Sequence, residues 1–226
     1  MTDALPLLKA LQHGDSFFPS GATSFSSGME TLLEDGKLAG CDDVGDFVAG
    51  QIFRRWATFD RPVIIAVMRR HDDLDAVAGI DTQVEAQSLA ADARESSKRA
   101  GWALLSVHAR IGIATATAYL ARLNEKRAHG HLPVVQGLVW SSHGFSEDAA
   151  SALSAHTMMT GLVGAGVRLG LLGHVEAQRI LHELGPKIAL IVEESAPPLD
   201  TVHPFTPMAE IAIMRHETSE SRLFMT

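Results

Sequence analysis

The stretch TMMTGLVGAGVRLGLLGHVEAQRILHEL, from Thr157 to Leu184, decides how this chain folds. Going back to Ala149, no Asp, Glu, Lys or Arg interrupts the sequence until Arg168 enters an apolar context. Glycines stand at 161, 164, 166, 170 and 173. Small side chains three or four residues apart line one face of a helix and let a second backbone approach closely. The spacing therefore predicts a helix buried on most sides, broken at Gly170 or Gly173, with one cation inside the packing. Burying an arginine is costly unless something pairs with it. Arg168 has three readings: a buried partner of a core carboxylate such as Glu176 or Glu193, a groove residue whose carboxylate comes from another protein, or an arginine offered in trans to a nucleotide-hydrolysing partner.

Outward from this stretch the chain reads as helix throughout. Residues 3–13 form one short apolar helix, followed by the turn-rich loop Ser16-Phe17-Phe18-Pro19-Ser20-Gly21. Ser24 to Leu33 is a second helix, stopped by Gly36. Val44, Phe47, Val48, Ile52, Trp56 and Phe59 recur at helical spacing behind a cap at Asp42 or Asp43. Pro62 fits the first turn of a new helix reaching His71. Further helices are predicted from Asp72-Asp73 to Ala90, Asp92 to Ile111, Ala114 to Ala128, Pro133 to Ser142, from a Ser146 cap through the central stretch, and from His174 to Glu194. Pro197, Pro198, Pro204 and Pro207 make 195–207 an extended strap, and Met208 to Glu217 returns to helix. No segment shows period-2 alternation between hairpin turns. The expectation is an all-α, single-domain bundle of about eight to ten helices over 1–194, with a Pro-rich strap and a docking tail over 195–226.

Composition narrows the function. The chain has 226 residues, 46% apolar and 20% charged, which suits a globular domain with a substantial core. A net charge of −8 without a basic stripe argues against nucleic acid. A lone cysteine, Cys41, forms no internal disulfide and fits a reducing compartment. No basic and apolar leader opens the sequence, and the uncharged run 149–167 is diluted by Ser151, Ser154, His156, Thr157 and Thr160, so a cytoplasmic chain with no membrane span is expected.

Enzymatic signatures are missing. Gly164-x-Gly166 is followed by Leu169 where a dinucleotide fingerprint needs glycine, and there is no P-loop, Gly-x-Ser-x-Gly or His-Glu-x-x-His. Among the eleven histidines, His129 and His131 flank Gly130, but a lone pair in a loop reads better as a solvated turn than as a metal site. His174 and His182 lie about two helical turns apart with no third ligand at a proper spacing. We expect no catalytic residue, no metal ligand set and no cofactor. The apolar ending Leu223-Phe224-Met225 is unusual for a free tail and reads as a docking segment, while Arg215, His216, Glu217 and Arg222 read as surface groups.

Several stretches taken together resemble one family. Asp15-Ser16-Phe17-Phe18-Pro19-Ser20-Gly21 followed by Ser27-Gly28-Met29-Glu30 is similar to the opening of the urease accessory protein UreF family. Arg94-Glu95-Ser96-Ser97 with Gly101 and Leu104-Leu105 resembles its middle helix, and Val134-Val135-Gln136-Gly137 begins its long shared block. Within that block, Val167-Arg168-Leu169-Gly170-Leu171-Leu172-Gly173 and Gln178-Arg179-Ile180-Leu181 resemble the family pattern, with Leu171 and His174 where the family carries proline and glutamine. Met214-Arg215-His216-Glu217 and Ser221-Arg222-Leu223-Phe224-Met225-Thr226 resemble its ending. The matches keep their order over nearly the whole chain.

The resemblance implies a homodimeric, non-enzymatic scaffold needed for inserting nickel into urease. It implies UreD (also called UreH) and the GTPase UreG as partners, with apo-urease reached through the complex. It also implies that Phe17, Phe18, Pro19 and Gly21 at one end, and His216, Glu217, Arg222, Leu223, Phe224 and Met225 at the other, engage a partner; from its own place at the helix break, Arg168 is a candidate contact with the dimer mate or the GTPase. The alternative is a helical enzyme that uses some histidines to hold a metal.

Overall fold

A computed structural model describes residues 4–15, 17–19 and 26–216, and every regular element among them is helical. In order these are α1 (Ala4–Gly14), α2 (Met29–Glu34), α3 (Cys41–Gln51), α4 (Arg61–Met68), α5 (Leu74–Gln87), α6 (Ala91–Arg110), α7 (Ala114–Asn124), α8 (Leu132–Ser142), α9 (Glu147–Arg168), α10 (His174–Glu193) and α11 (Pro207–His216). The caps foreseen at Asp73 and Ser146 are present: Asp73 accepts from the amides of Asp75 and Ala76, and Ser146 from that of Ala149.

No break precedes Pro62. A wide π-helical stretch, Ile52–Asp60, joins α3 to α4 in one continuous rod. Proline lacks an N–H and its ring crowds the carbonyl one turn back. Widening the turns before Pro62 lets the rod continue through it.

Helix α8 runs deep in the bundle, with Val134, Val135 and Leu138 wholly buried. It crosses α4 at Gly137, where a Cβ would stand 2.6 Å from the carbonyl oxygen of Ile64. Around it lies one apolar cluster that includes Val63, Val67, Val77, Leu105 and Tyr119. A second cluster joins α2, α3, the π-helical stretch, the C-terminal half of α9 and α10, through Met29, Leu32, Val44, Trp56, Leu162 and Ile180. The central stretch thus borders the second cluster, and the first is organised by α8. As anticipated, the break falls at Gly170, whose backbone is left-handed at φ 73°. On the glycine face, Gly166 comes closer than van der Waals contact to other side chains, with an added Cβ only 2.5 Å from Leu172 and 3.1 Å from Val44, whereas Gly164, Gly170 and Gly173 do not.

The buried cation is not where the sequence placed it. Arg168 closes α9 at the solvent-exposed surface, its Nη1 folded over Gly164, and Glu176 accepts the Gly173 amide at 2.6 Å to cap α10. The arginine inside the protein is Arg61, 3% exposed. Its Nη2 donates to the carbonyls of Val192 (3.1 Å) and Glu194 (2.5 Å), and its Nε reaches Ser151 Oγ at 3.4 Å. Helix C-termini present carbonyls without intrahelical donors and a partial negative charge. The end of α10 therefore compensates Arg61 where the sequence suggested a carboxylate for Arg168. No helix of the described residues is long and apolar enough to cross a membrane.

Candidate partner-docking site

At the N-terminal end, Asp15 shapes the loop. Its Oδ1 accepts from the Phe17 amide at 2.9 Å, and its carbonyl accepts from the Phe18 amide at 3.0 Å. This local turn sends two adjacent phenylalanines in opposite directions. Phe17 is 92% exposed, whereas Phe18 stacks on the His13 ring at 5.1 Å. Pro19 is exposed beside them. Helix α1 also turns Leu5, Leu7, Leu8 and Leu11 toward solvent while burying His13. A helix that shows its leucines to water beside an exposed phenylalanine has the character of an interaction surface.

At the other end, the strap is tied down by its backbone. Phe205 donates its amide to the Arg54 carbonyl at 2.9 Å, and the His203 carbonyl accepts from Thr58 Oγ1 at 3.0 Å. Then α11 turns Ala209, Ala212, Ile213 and His216 inward, at the i, i+3, i+4, i+7 spacing of one helix face. It packs on α2 and the turn before it. Gly28 is left-handed at φ 87°, and a Cβ there would stand 2.8 Å from the Ala209 carbonyl oxygen. Glycine alone satisfies both demands. One helical turn away Arg215 grips Asp35 through both carboxylate oxygens, Nη2 to Oδ1 at 2.9 Å. The Arg215 guanidinium holds the Asp35 carboxyl below the ordinary carboxylate range.

Reading His216 as a surface group is corrected here. It is 2% exposed, with Nε2 3.3 Å from Glu30 Oε2 and Nδ1 3.9 Å from Asp92. Its inward face position and the carboxylates of α2 and α6 explain the burial. So Ser27-Gly28-Met29-Glu30 and Met214-Arg215-His216, nearly a full chain apart, form one assembly. The outer face of α11 keeps Met208, Ile211 and Met214 exposed, with Phe205 beside them on the strap.

A cavity of about 200 Å³ lies behind this assembly, with Trp56, Asp60, Gln136, Trp140, Ser154 and Thr206 among its walls. Burial raises the Asp60 carboxyl above its ordinary value, against the pull of Arg55 at 3.4 Å. The His129–His131 loop is not the solvated turn expected of it. Asp81, fully buried, accepts from the amides of His129, Gly130 and His131 and from Tyr119 Oη, while His131 Nε2 meets Glu85 at 2.8 Å. One carboxylate satisfying four donors needs the loop closed around it.

Of the residues the sequence singled out, Phe17, Phe18 and Pro19 stand together on the N-terminal loop, His216 is fixed to α2, and Arg168 is separate at the end of α9. Gly21, Glu217, Arg222, Leu223, Phe224 and Met225 lie outside the described residues. Sequence reasoning missed Glu30 as the partner of His216. It also missed a cluster formed by His13, His108 and His143, whose positions share no spacing signal.

The UreF family model matches residues 39–185. A urease accessory protein UreF of Trichodesmium erythraeum (strain IMS101) is 32% identical over 233 residues, covering 99% of this chain and 98% of its own length. The UreF of Actinobacillus pleuropneumoniae is 30% identical, covering 97% and 99%, and that of Corynebacterium efficiens 29%, covering 97% and 96%. With the family model spanning more than half of the chain and relatives aligned from end to end, the chain belongs to the UreF family of urease accessory proteins.

Proposed function

We propose that this chain is a helical scaffold of the urease-maturation complex, working with other accessory proteins so that nickel reaches the urease active site. In this reading it docks a UreD/UreH-type protein, recruits the GTPase UreG and acts as a homodimer in the cytoplasm. The nucleotide chemistry belongs to UreG, which suits a chain that carries no P-loop of its own.

The observation that carries the reading is the union of the two chain ends on one framework. Gly28 and Glu30, just past the N-terminal loop, hold α11 through Ala209 and His216 and so position whatever follows residue 216. The exposed side chains Phe17, Met208 and Ile211 and the segment 217–226 supply the contacts to the UreD/UreH-type protein. Since Ala209, Ala212 and Ile213 belong to the packed interior, truncation after His216 is the cleaner test. The chain lacking 217–226 is expected to stay helical and to lose co-purification with the UreD/UreH-type protein and activation of urease. Undiminished capture by the truncated chain would refute the tail's role.

A further inference from the structure

His13 ends α1, His108 lies in the last turn of α6, and His143 follows α8. Their rings meet in one buried cluster, with centroids 5.1 Å apart for His13 and His108, 4.7 Å for His13 and His143, and 5.2 Å for His108 and His143. His13 Nδ1 lies 2.7 Å from the Lys9 carbonyl, and His108 Nδ1 lies 2.7 Å from the Leu104 carbonyl. A carbonyl only accepts, so each Nδ1 carries a proton. In the neutral ring each Nε2 is then a lone pair, yet the two Nε2 atoms face one another at 2.9 Å. The Nε2 of His143 is buried and has no hydrogen-bond partner. Two lone pairs that face each other require something electropositive between them, and the rings of His13, His108 and His143 bring ligand atoms together at the same place.

A shared proton would make one ring an imidazolium, and the surroundings oppose that. Phe18 lies over His13 and Phe145 meets its edge at 5.8 Å, so the walls are apolar. The Lys9 ammonium donates to the His143 carbonyl at 3.1 Å and adds positive charge nearby. A cation held only by electrostatics is disfavoured here as well, which excludes calcium and magnesium. A cation that forms strong bonds to imidazole nitrogen offsets that penalty.

The geometry suits such an ion. Ligand atoms of the three rings all lie within 4.8 Å of one another. Two nitrogens bonded at about 2.0–2.1 Å and at right angles stand about 2.9 Å apart, and the Nε2 pair is separated by 2.9 Å. An Nδ1–H held by a backbone carbonyl is also the usual outer support of a metal-bound histidine, fixing tautomer and ring orientation.

We propose that His13, His108 and His143 form a three-histidine site for a divalent late first-row transition metal such as Ni²⁺, closed on one side by Phe18. The right-angled nitrogen pair matches square-planar or octahedral coordination better than the tetrahedral geometry of zinc. Occupancy would pin α1 and its phenylalanine loop to the bundle. The proposal uses residues outside the His129–His131 pair and does not depend on the chain's part in urease maturation.

The test is calorimetric titration of the full, untagged, chelator-treated chain with NiCl₂ and, separately, ZnCl₂ near neutral pH. One Ni²⁺ per chain is expected, weakened at least about tenfold in His143→Ala and in His13→Gln and unchanged in His129→Ala. Circular dichroism establishes that each variant is folded, and Ni X-ray absorption of the wild type should show imidazole nitrogens in the first shell. Wild-type protein that binds neither ion overturns the proposal. So does stoichiometric binding that survives in both folded variants. Tighter binding of zinc than nickel would keep the site but overturn the geometric preference.

Discussion

Glu30 and His216 lie 186 positions apart in the chain and meet with a carboxylate oxygen 3.3 Å from an imidazole nitrogen, both side chains buried. This contact fastens the last described helix to the first residues after the N-terminal loop. Removing one partner takes this charge-assisted contact from a buried polar group, which costs about 1–3 kcal/mol. Glu30→Ala and His216→Ala should each lower stability by that amount in urea unfolding, and the double variant by less than the sum. Full additivity would mean that the two side chains do not interact.

Gly28 is the steric counterpart of that contact. Gly28→Ala forces a Cβ into a left-handed backbone and against the Ala209 carbonyl oxygen. A strained conformation of this kind costs about 1–3 kcal/mol, and α11 is expected to detach before the rest of the bundle unfolds. Hydrogen exchange should show faster exchange in residues 207–216 than in α8. Uniform protection across both helices would contradict this order.

The clasp between Arg215 and Asp35 gives a pH dependence with a defined sign. Arg215 lowers the Asp35 carboxyl below its unfolded value of 3.8. The clasp therefore contributes fully above that value and is lost as pH falls from about 4 toward the lower folded value. Thermal unfolding from pH 7 to pH 3 should show a steeper acid loss in the wild type than in Asp35→Asn. The difference should be small, because the pair is solvent-exposed. Parallel curves would show that the clasp does not contribute.

Arg61 makes the bundle depend on the α10 C-terminus. Arg61→Met leaves the Val192 and Glu194 carbonyls without this donor. A loss of about 1–3 kcal/mol is expected in urea unfolding, without a change in helix content. Arg168→Ala, at the exposed end of α9, should leave stability within about 0.5 kcal/mol. A large loss at Arg168 together with none at Arg61 would reverse the assignment of the buried cation.

Much of the fold was legible because its helices are amphipathic, capped and separated by glycine or proline. The caps at Asp73 and Ser146, the break at Gly170 and the start at His174 follow from local chemistry. What failed was long-range. An uncharged run with a lone arginine looks like a buried cation, but exposure depends on where the helix ends, and α9 ends at Arg168. Arg61 gave no signal, because its partners are backbone carbonyls, which every sequence contains. The pairing of Glu30 with His216, the four-donor closure around Asp81 and the meeting of His13, His108 and His143 all depend on tertiary proximity. The exposed Phe17 was legible as an apolar residue in a turn-rich loop, where burial has little to offer.

In the proposed function, Phe17 on the N-terminal loop and Ile211 on the outer face of α11 belong to one docking site for a UreD/UreH-type accessory protein. The direct measurement is co-purification of that protein with wild type, Phe17→Asp and Ile211→Glu chains, with thermal unfolding run alongside. Both side chains are exposed, so both variants should unfold at the wild-type temperature. Each variant is expected to lose capture of the partner. Wild-type yields of partner on both folded variants would contradict it.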